Sequence, residues 1–144
     1  MFVGLNPSTA DETENDATIR KCMGFAKGWG FGGVSMVNLY SFCSRHPGDL
    51  LTIADPVNDW NRTALAYQAS KSSLVIAAWG TLHKQWRAPL KWDETIEATK
   101  AAIGKPMECL KFTKDSNPWH PLYVPYSVER QQFWTPSPKE NEHV

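Results

Sequence analysis

Leu74-Val75-Ile76-Ala77-Ala78-Trp79 is an unbroken apolar run closed by Gly80. A strand with one face in water alternates apolar and polar residues; a strand with no polar residue must be covered on both faces. The flanking segments can supply that cover. Asp59 to Ser70 carries Trp60, Ala64 and Tyr67 at helical spacing. After the turn at Gly80, a short helix is expected within Thr81 to Arg87. A longer one is marked by Trp92, Ile96, Thr99 and Ile103, closed by Gly104 and followed by Pro106. A buried strand between two helices belongs near the middle of a parallel sheet.

The rest of the chain repeats the alternation. Phe2 to Leu5 reads as a first strand. It begins almost at residue 1, which is unusual for a central strand and implies sequence upstream. Ser8 to Asn15 reads as a polar loop, and Asp16 as the N-cap of a helix from Ala17 to about Lys27, with Ile19, Met23 and Ala26 on one face. Gly28 to Gly33 ends that helix. Val34 to Phe42 reads as a second strand, Met107 to Phe112 as a fourth, Thr113 to His120 as a loop and His120 to Val124 as a short extended piece. The expected fold is α/β: three αβα layers around a central, mostly parallel four-stranded sheet, with right-handed crossovers. One domain is expected over 1–130, followed by a polar, loosely ordered tail over 131–144.

Composition removes several function classes. The 144 residues carry 15 basic and 15 acidic side chains, for zero net charge, which argues against strong non-specific duplex binding. No run approaches the ~18 apolar residues of a membrane span, and no signal peptide is visible. Cys22, Cys43 and Cys109 are scattered and odd in number, as in a reduced, cytoplasmic protein. Neither the cysteines nor the histidines show metal-ligand spacing, and no cofactor is expected. Gly28-Trp29-Gly30-Phe31-Gly32-Gly33 matches G-x-G-x-x-G literally. A dinucleotide fingerprint, however, follows a strand and opens a helix, whereas these glycines follow a helix and precede a strand.

Three positions beside strands remain that carry polar side chains. Asn6 follows the first strand and is held out of the α region by Pro7; His120 is held extended by Pro121 in the same way. Asn38 ends the apolar run Val34 to Val37. Each also reads as an ordinary loop residue bonded to backbone. In open α/β sheets, strand carboxyl ends are where ligands bind, so the three together point to one site.

Gly4-Leu5-Asn6-Pro7, the strand ending in Trp79-Gly80, and His120-Pro121 resemble three motifs of the uracil-DNA glycosylase superfamily. Asn38 falls where its uracil-specific members carry a base-reading Asn. Ser8 and Leu122 depart from the superfamily pattern, and the second departure weighs against duplex binding. A resemblance over almost the whole chain is to a bacterial and phage family, the domain of unknown function 1643. It is carried by Leu5 to Asp11, Asp16 to Cys22, Val37 to Tyr40, Ala77 to Gly80 and Thr113 to Tyr123.

The glycosylase resemblance implies a nucleobase N-glycosidase acting on a modified or mismatched base. Asn6 and His120 would be catalytic. Gly4, Leu5, Pro7, Ser8, Asn38, Pro121, Leu122 and Tyr123 would line the substrate, and Trp29 or Phe31 (or Phe25) would stack on the base. The partner would be nucleic acid (DNA, single-stranded or modified DNA included) or a nucleotide. The alternatives are a non-catalytic nucleotide or nucleic-acid binding module, and a hydrolase of small nucleosides or nucleotides.

Overall fold

The structure, a computed structural model, describes residues 1–5, 12–40 and 59–138, without the side chains of 12–16 and 59. Five strands form one sheet: β1 (Phe2–Gly4), β2 (Met36–Asn38), β3 (Ile76–Ala77), β4 (Met107–Cys109) and β5 (Gln131–Trp134). Their spatial order is β2-β1-β3-β4-β5. The first four are parallel, with Val3 opposite both Val37 and Ala77, and β5 runs antiparallel to β4. Among the described residues the α-helices are α1 (Glu12–Gly28), α2 (Asp59–Lys71), α3 (Lys84–Arg87) and α4 (Trp92–Ile103).

The apolar run at β3 behaves as its composition requires. Residues 75–80 are all buried, and their side chains alternate between two cores. Val75, Ala77 and Trp79 join Val3, Met107 and the α2 residues Leu65 and Ala69. Ile76 and Ala78 join Phe2, Leu110 and the α1 residues Cys22 and Phe25. The sheet is therefore the middle of three layers, with α2 and α4 on one side and α1 on the other. Each side chain fully buried in these cores contributes roughly 1.5–3 kcal/mol. Burial also pushes the thiols of Cys22 and Cys109 up to about 12 and about 11; both are free, neutral core groups. Cys43 lies outside the described residues.

Helix α4 forms where expected. It buries Trp92, Thr95, Thr99 and Ile103 and ends at Gly104, whose φ of 63° suits a residue without Cβ and whose N–H donates to the Lys100 carbonyl. The other helical faces need correction. On α2, Trp60 and Tyr67 are exposed, and Leu65 and Ala69 face the core instead. On α1, Ile19 and Met23 are exposed, and Cys22, Phe25 and Ala26 are buried. Both inward stripes also have helical spacing, so periodicity alone did not choose between them. Helix α1 also starts at Glu12, so Asp16 lies within it and is not its cap. No Gly or Pro between Glu12 and Asp16 stops the helix from extending back.

Two further differences concern the last third of the chain. Pro121–Tyr123 is a 3-10 turn, not an extended piece, with Pro121 preset for its first position. Gln131–Trp134, expected in a loose tail, is instead the fifth strand. Its Phe133 ring meets Trp79 edge-on at 5.2 Å and Phe112 at 6.0 Å. The ordered sheet thus continues past residue 130. No helix among the described residues is long and apolar enough to cross a membrane.

Candidate active site at the strand carboxyl ends

Strand β1 lies between β2 and β3, so the chain leaves β1 for its neighbour on one side and later returns on the other. That reversal is a topological switch point, and the crevice beyond the carboxyl ends of the strands there is the default ligand site of an open α/β sheet. Main-chain bonding fixes its rim. Leu39 N–H donates to the Gly4 carbonyl and Tyr40 N–H to the Leu5 carbonyl, each at 2.9 Å. From α2, Asn61 Nδ2 donates to the Asn38 carbonyl at 3.0 Å. Tyr40 is buried and its hydroxyl donates to the Leu90 carbonyl at 3.0 Å, tying this rim to the segment after β3; burial raises its pKa.

Beyond β3, Gly80 turns the chain with φ 70°. Its N–H donates to the Pro118 carbonyl at 2.8 Å, which seats the segment after β4 against it. A Cβ at Gly80 would lie 3.8 Å from the Cβ of His120. His120 thus stands beyond the carboxyl end of β3. Its backbone is extended, and Nδ1 accepts from the Leu122 N–H at 3.2 Å. A nitrogen that accepts carries no proton, so the neutral ring holds its proton on Nε2. Pro121, the next residue, is buried, which anchors the backbone that carries the imidazole.

Asn38 ends β2. Its Oδ1 lies 2.7 Å from where a Cβ on Gly4 would stand. The amide therefore lies across β1 at its end, and only glycine leaves it that room. Strands are spaced about 4.8 Å apart, so the ends of β2 and β3 flank β1 about 10 Å apart.

The expected site residues divide as follows. Gly4, Leu5, Asn38, His120, Pro121, Leu122 and Tyr123 all fall at the carboxyl edge, with Leu122 half-buried and Tyr123 81 % exposed. Asn6, Pro7 and Ser8 lie outside the described residues. Trp29 and Phe31 belong at the opposite edge. They follow the C-terminus of α1, where Phe31 N–H donates to the Ala26 carbonyl, and they line a cavity of about 290 Å³ beside Met1, Ser35 and Leu74 at the strand amino ends. Trp29 stacks on Phe2 at 6.2 Å and lies beneath the Arg130 guanidinium at 4.5 Å. The reason is topological: a helix that returns antiparallel to its strand delivers its last turn to the amino edge. Stacking on a base beside His120 is therefore not open to either ring. Phe25, the third aromatic considered, is buried in the α1-side core.

Sequence reasoning missed a polar group beside Gly80. Asn117 Nδ2 and Thr113 Oγ1 each lie 3.4 Å from Thr81 Oγ1, and the Arg87 guanidinium meets the Asp115 carboxylate at 3.5 Å. A polar cluster after a buried strand was visible in the chain. Its pairing across the segments after β3 and β4 was not. No group of three His, Cys, Asp or Glu side chains converges on a metal position among the described residues.

The family model described as protein of unknown function (DUF1643) matches residues 1–122. No curated protein and no solved structure matches the chain.

Proposed function

We propose that this chain, which belongs to the DUF1643 family of proteins of unknown function, is a nucleobase N-glycosidase of the DNA-glycosylase-like kind. The reaction would take place beyond the carboxyl ends of β1, β2 and β3. The observation that carries the proposal is His120, held beside Gly80 with Nδ1 already accepting from Leu122. A neutral imidazole mounted this way carries its proton on Nε2 in a fixed direction.

N-glycosidic hydrolysis needs such a donor. The base departs with both electrons of the C–N bond, positive charge builds on the sugar, and water bonds to the anomeric carbon and loses a proton to solvent. Negative charge gathers on the base oxygens, where a preorganised donor is worth roughly 3–4 kcal/mol. Nε2–H of His120 would donate to that oxygen without itself losing the proton. The Asn38 amide, with both donor and acceptor atoms, would read the base edge. Asn6, by its sequence position after β1, would hold the attacking water. An amide is too weak a base to take the water's proton, so the sugar's cationic character would carry much of the reaction. A modified or mismatched base is the favoured target, because unstacking it costs less than unstacking a paired one.

The test is mass spectrometry of released bases. The substrates are single- and double-stranded oligonucleotides containing uracil, mismatched thymine, or hydroxymethylated or glycosylated pyrimidines. We expect release from at least one of them, falling about 100-fold or more in His120→Ala. If no base appears from any substrate, or His120→Ala releases it at the wild-type rate, the glycosidase proposal is wrong. Turnover of free nucleosides alone would identify a small-molecule hydrolase instead.

A further inference from the structure

The segments that follow β3 and β4, residues 81–91 and 110–120, both leave the carboxyl edge. Together they carry Lys84, Arg87, Lys91, Lys111 and Lys114 against one carboxylate, Asp115, in a chain of zero net charge. The Gly80–Pro118, Thr81–Asn117 and Arg87–Asp115 contacts hold the two segments side by side. Arg87 is ion-paired; Lys84, Lys91, Lys111 and Lys114 form no ion pair among the described residues. Elsewhere Lys100 pairs with Glu97, Arg130 with Glu108, and Lys105 Nζ donates to the carbonyls of Ala69 and Ser72, whereas Arg20, Lys21, Lys27 and Lys71 form no ion pair among the described residues. Four of the cations without an ion pair thus stand on the edge that carries His120.

The backbone gives a second, independent sign. Among the described residues, the non-glycine positions with positive φ are Lys91 (52°) and Ser116 (62°), one in each segment. Lys91 is also the N-cap of α4 and makes no side-chain capping bond. It places a cation at the positive end of the helix dipole, in a conformation that lysine rarely adopts. Stability alone would select Asp, Ser or Asn there. In the turn that follows His120, which packs on α1, Tyr123 is 81 % exposed.

We infer that these two segments form a track for a single-stranded nucleic acid. Phosphates lie on Lys84, Lys91, Lys111 and Lys114, and one base stacks on Tyr123. Four lysines without ion pairs on one edge repel each other and raise the local positive potential, which a polyanion relieves. An exposed aromatic beside such a track is a stacking platform for an unpaired base, whereas a duplex keeps that base face covered. The inference rests on the proposed function only in taking the His120 crevice as the place where a base enters. It names the polymer, not the free nucleoside, as the substrate class.

The test reads binding and not cleavage. Fluorescein-labelled oligothymidylate and oligouridylate of about 15 nucleotides are titrated with the full chain, and anisotropy is followed from 50 to 200 mM NaCl. The two sugars show whether the strand is DNA, RNA or either. With three or four phosphates neutralised, affinity should fall roughly 20- to 50-fold over that range, from a slope near −0.7 per phosphate. In Lys84→Gln/Lys114→Gln the fall should shrink to roughly three- to sevenfold. Lys27→Gln/Lys71→Gln, altered at the amino edge, should behave as wild type. The inference is overturned if neither strand binds at 50 mM NaCl, if the slope of the Lys84/Lys114 variant is unchanged, or if a duplex of the same length binds more tightly. A chain that binds the strand but releases no base keeps this inference and loses the glycosidase. Base release without a salt-sensitive strand complex does the reverse.

Discussion

Gly4 and Asn38 form the most sharply defined residue pair at the proposed site. The Asn38 amide occupies the space that any side chain at residue 4 would need, with Oδ1 at 2.7 Å from the would-be Cβ. In Gly4→Ala the amide has to swing away. We expect a loss of about 1–3 kcal/mol in urea unfolding, the usual range for overpacking. Removing the amide should relieve the conflict. Gly4→Ala in an Asn38→Ala background should therefore cost clearly less than in the wild type, with a coupling of about 1 kcal/mol or more. Additive effects would show that the amide does not fill that space. At the same scale, the positions of Asn38 and His120 were partly legible in the chain, since a polar residue after an apolar run marks a strand end. The contact of Asn38 with Gly4 was not, because it joins residues more than thirty positions apart through strand pairing.

At the scale of elements, β5 is the clearest addition to what the sequence suggests. Gln131-Gln132-Phe133-Trp134 lies among polar and proline residues and reads as tail. As an edge strand, however, it needs only one apolar face, and Phe133 supplies it against Trp79 and Phe112. We expect Phe133→Ala to destabilise the fold by about 2–3 kcal/mol in denaturant unfolding, somewhat below the loss for a fully buried aromatic. A change within about 0.5 kcal/mol, as for an ordinary surface residue, would mean that β5 does not hold the sheet. The helices show the opposite limit of sequence reading. Ile19 and Met23 on α1 satisfy helical spacing as well as Cys22 and Phe25 do, and the packed face emerges only against the sheet. In α4, by contrast, Trp92, Thr99 and Ile103 were legible, because the Gly104 cap and Pro106 fixed where the helix stops.

At the scale of the whole molecule, strand order separates two edges of different character. The buried run at β3 and the strand–helix alternation made the three-layer sheet legible from sequence. The same alternation implies that α1, returning antiparallel, carries Trp29 and Phe31 away from His120. Residue type alone suggested stacking partners where the topology puts a wall of a separate cavity. Zero net charge likewise concealed a local excess: the segments after β3 and β4 carry five cations against one carboxylate, and only the folded chain brings those two segments together. The central claim is that ligand meets this edge. The direct measurement is amide chemical-shift mapping of the isotopically labelled chain with the single-stranded oligonucleotide. The account predicts shifts at Leu5, Leu39, Gly80 and Leu122, with Gly30, Gly32 and Gly33 unmoved. Shifts confined to the glycine-rich turn at the amino edge, with Gly80 and Leu122 unmoved, would contradict it.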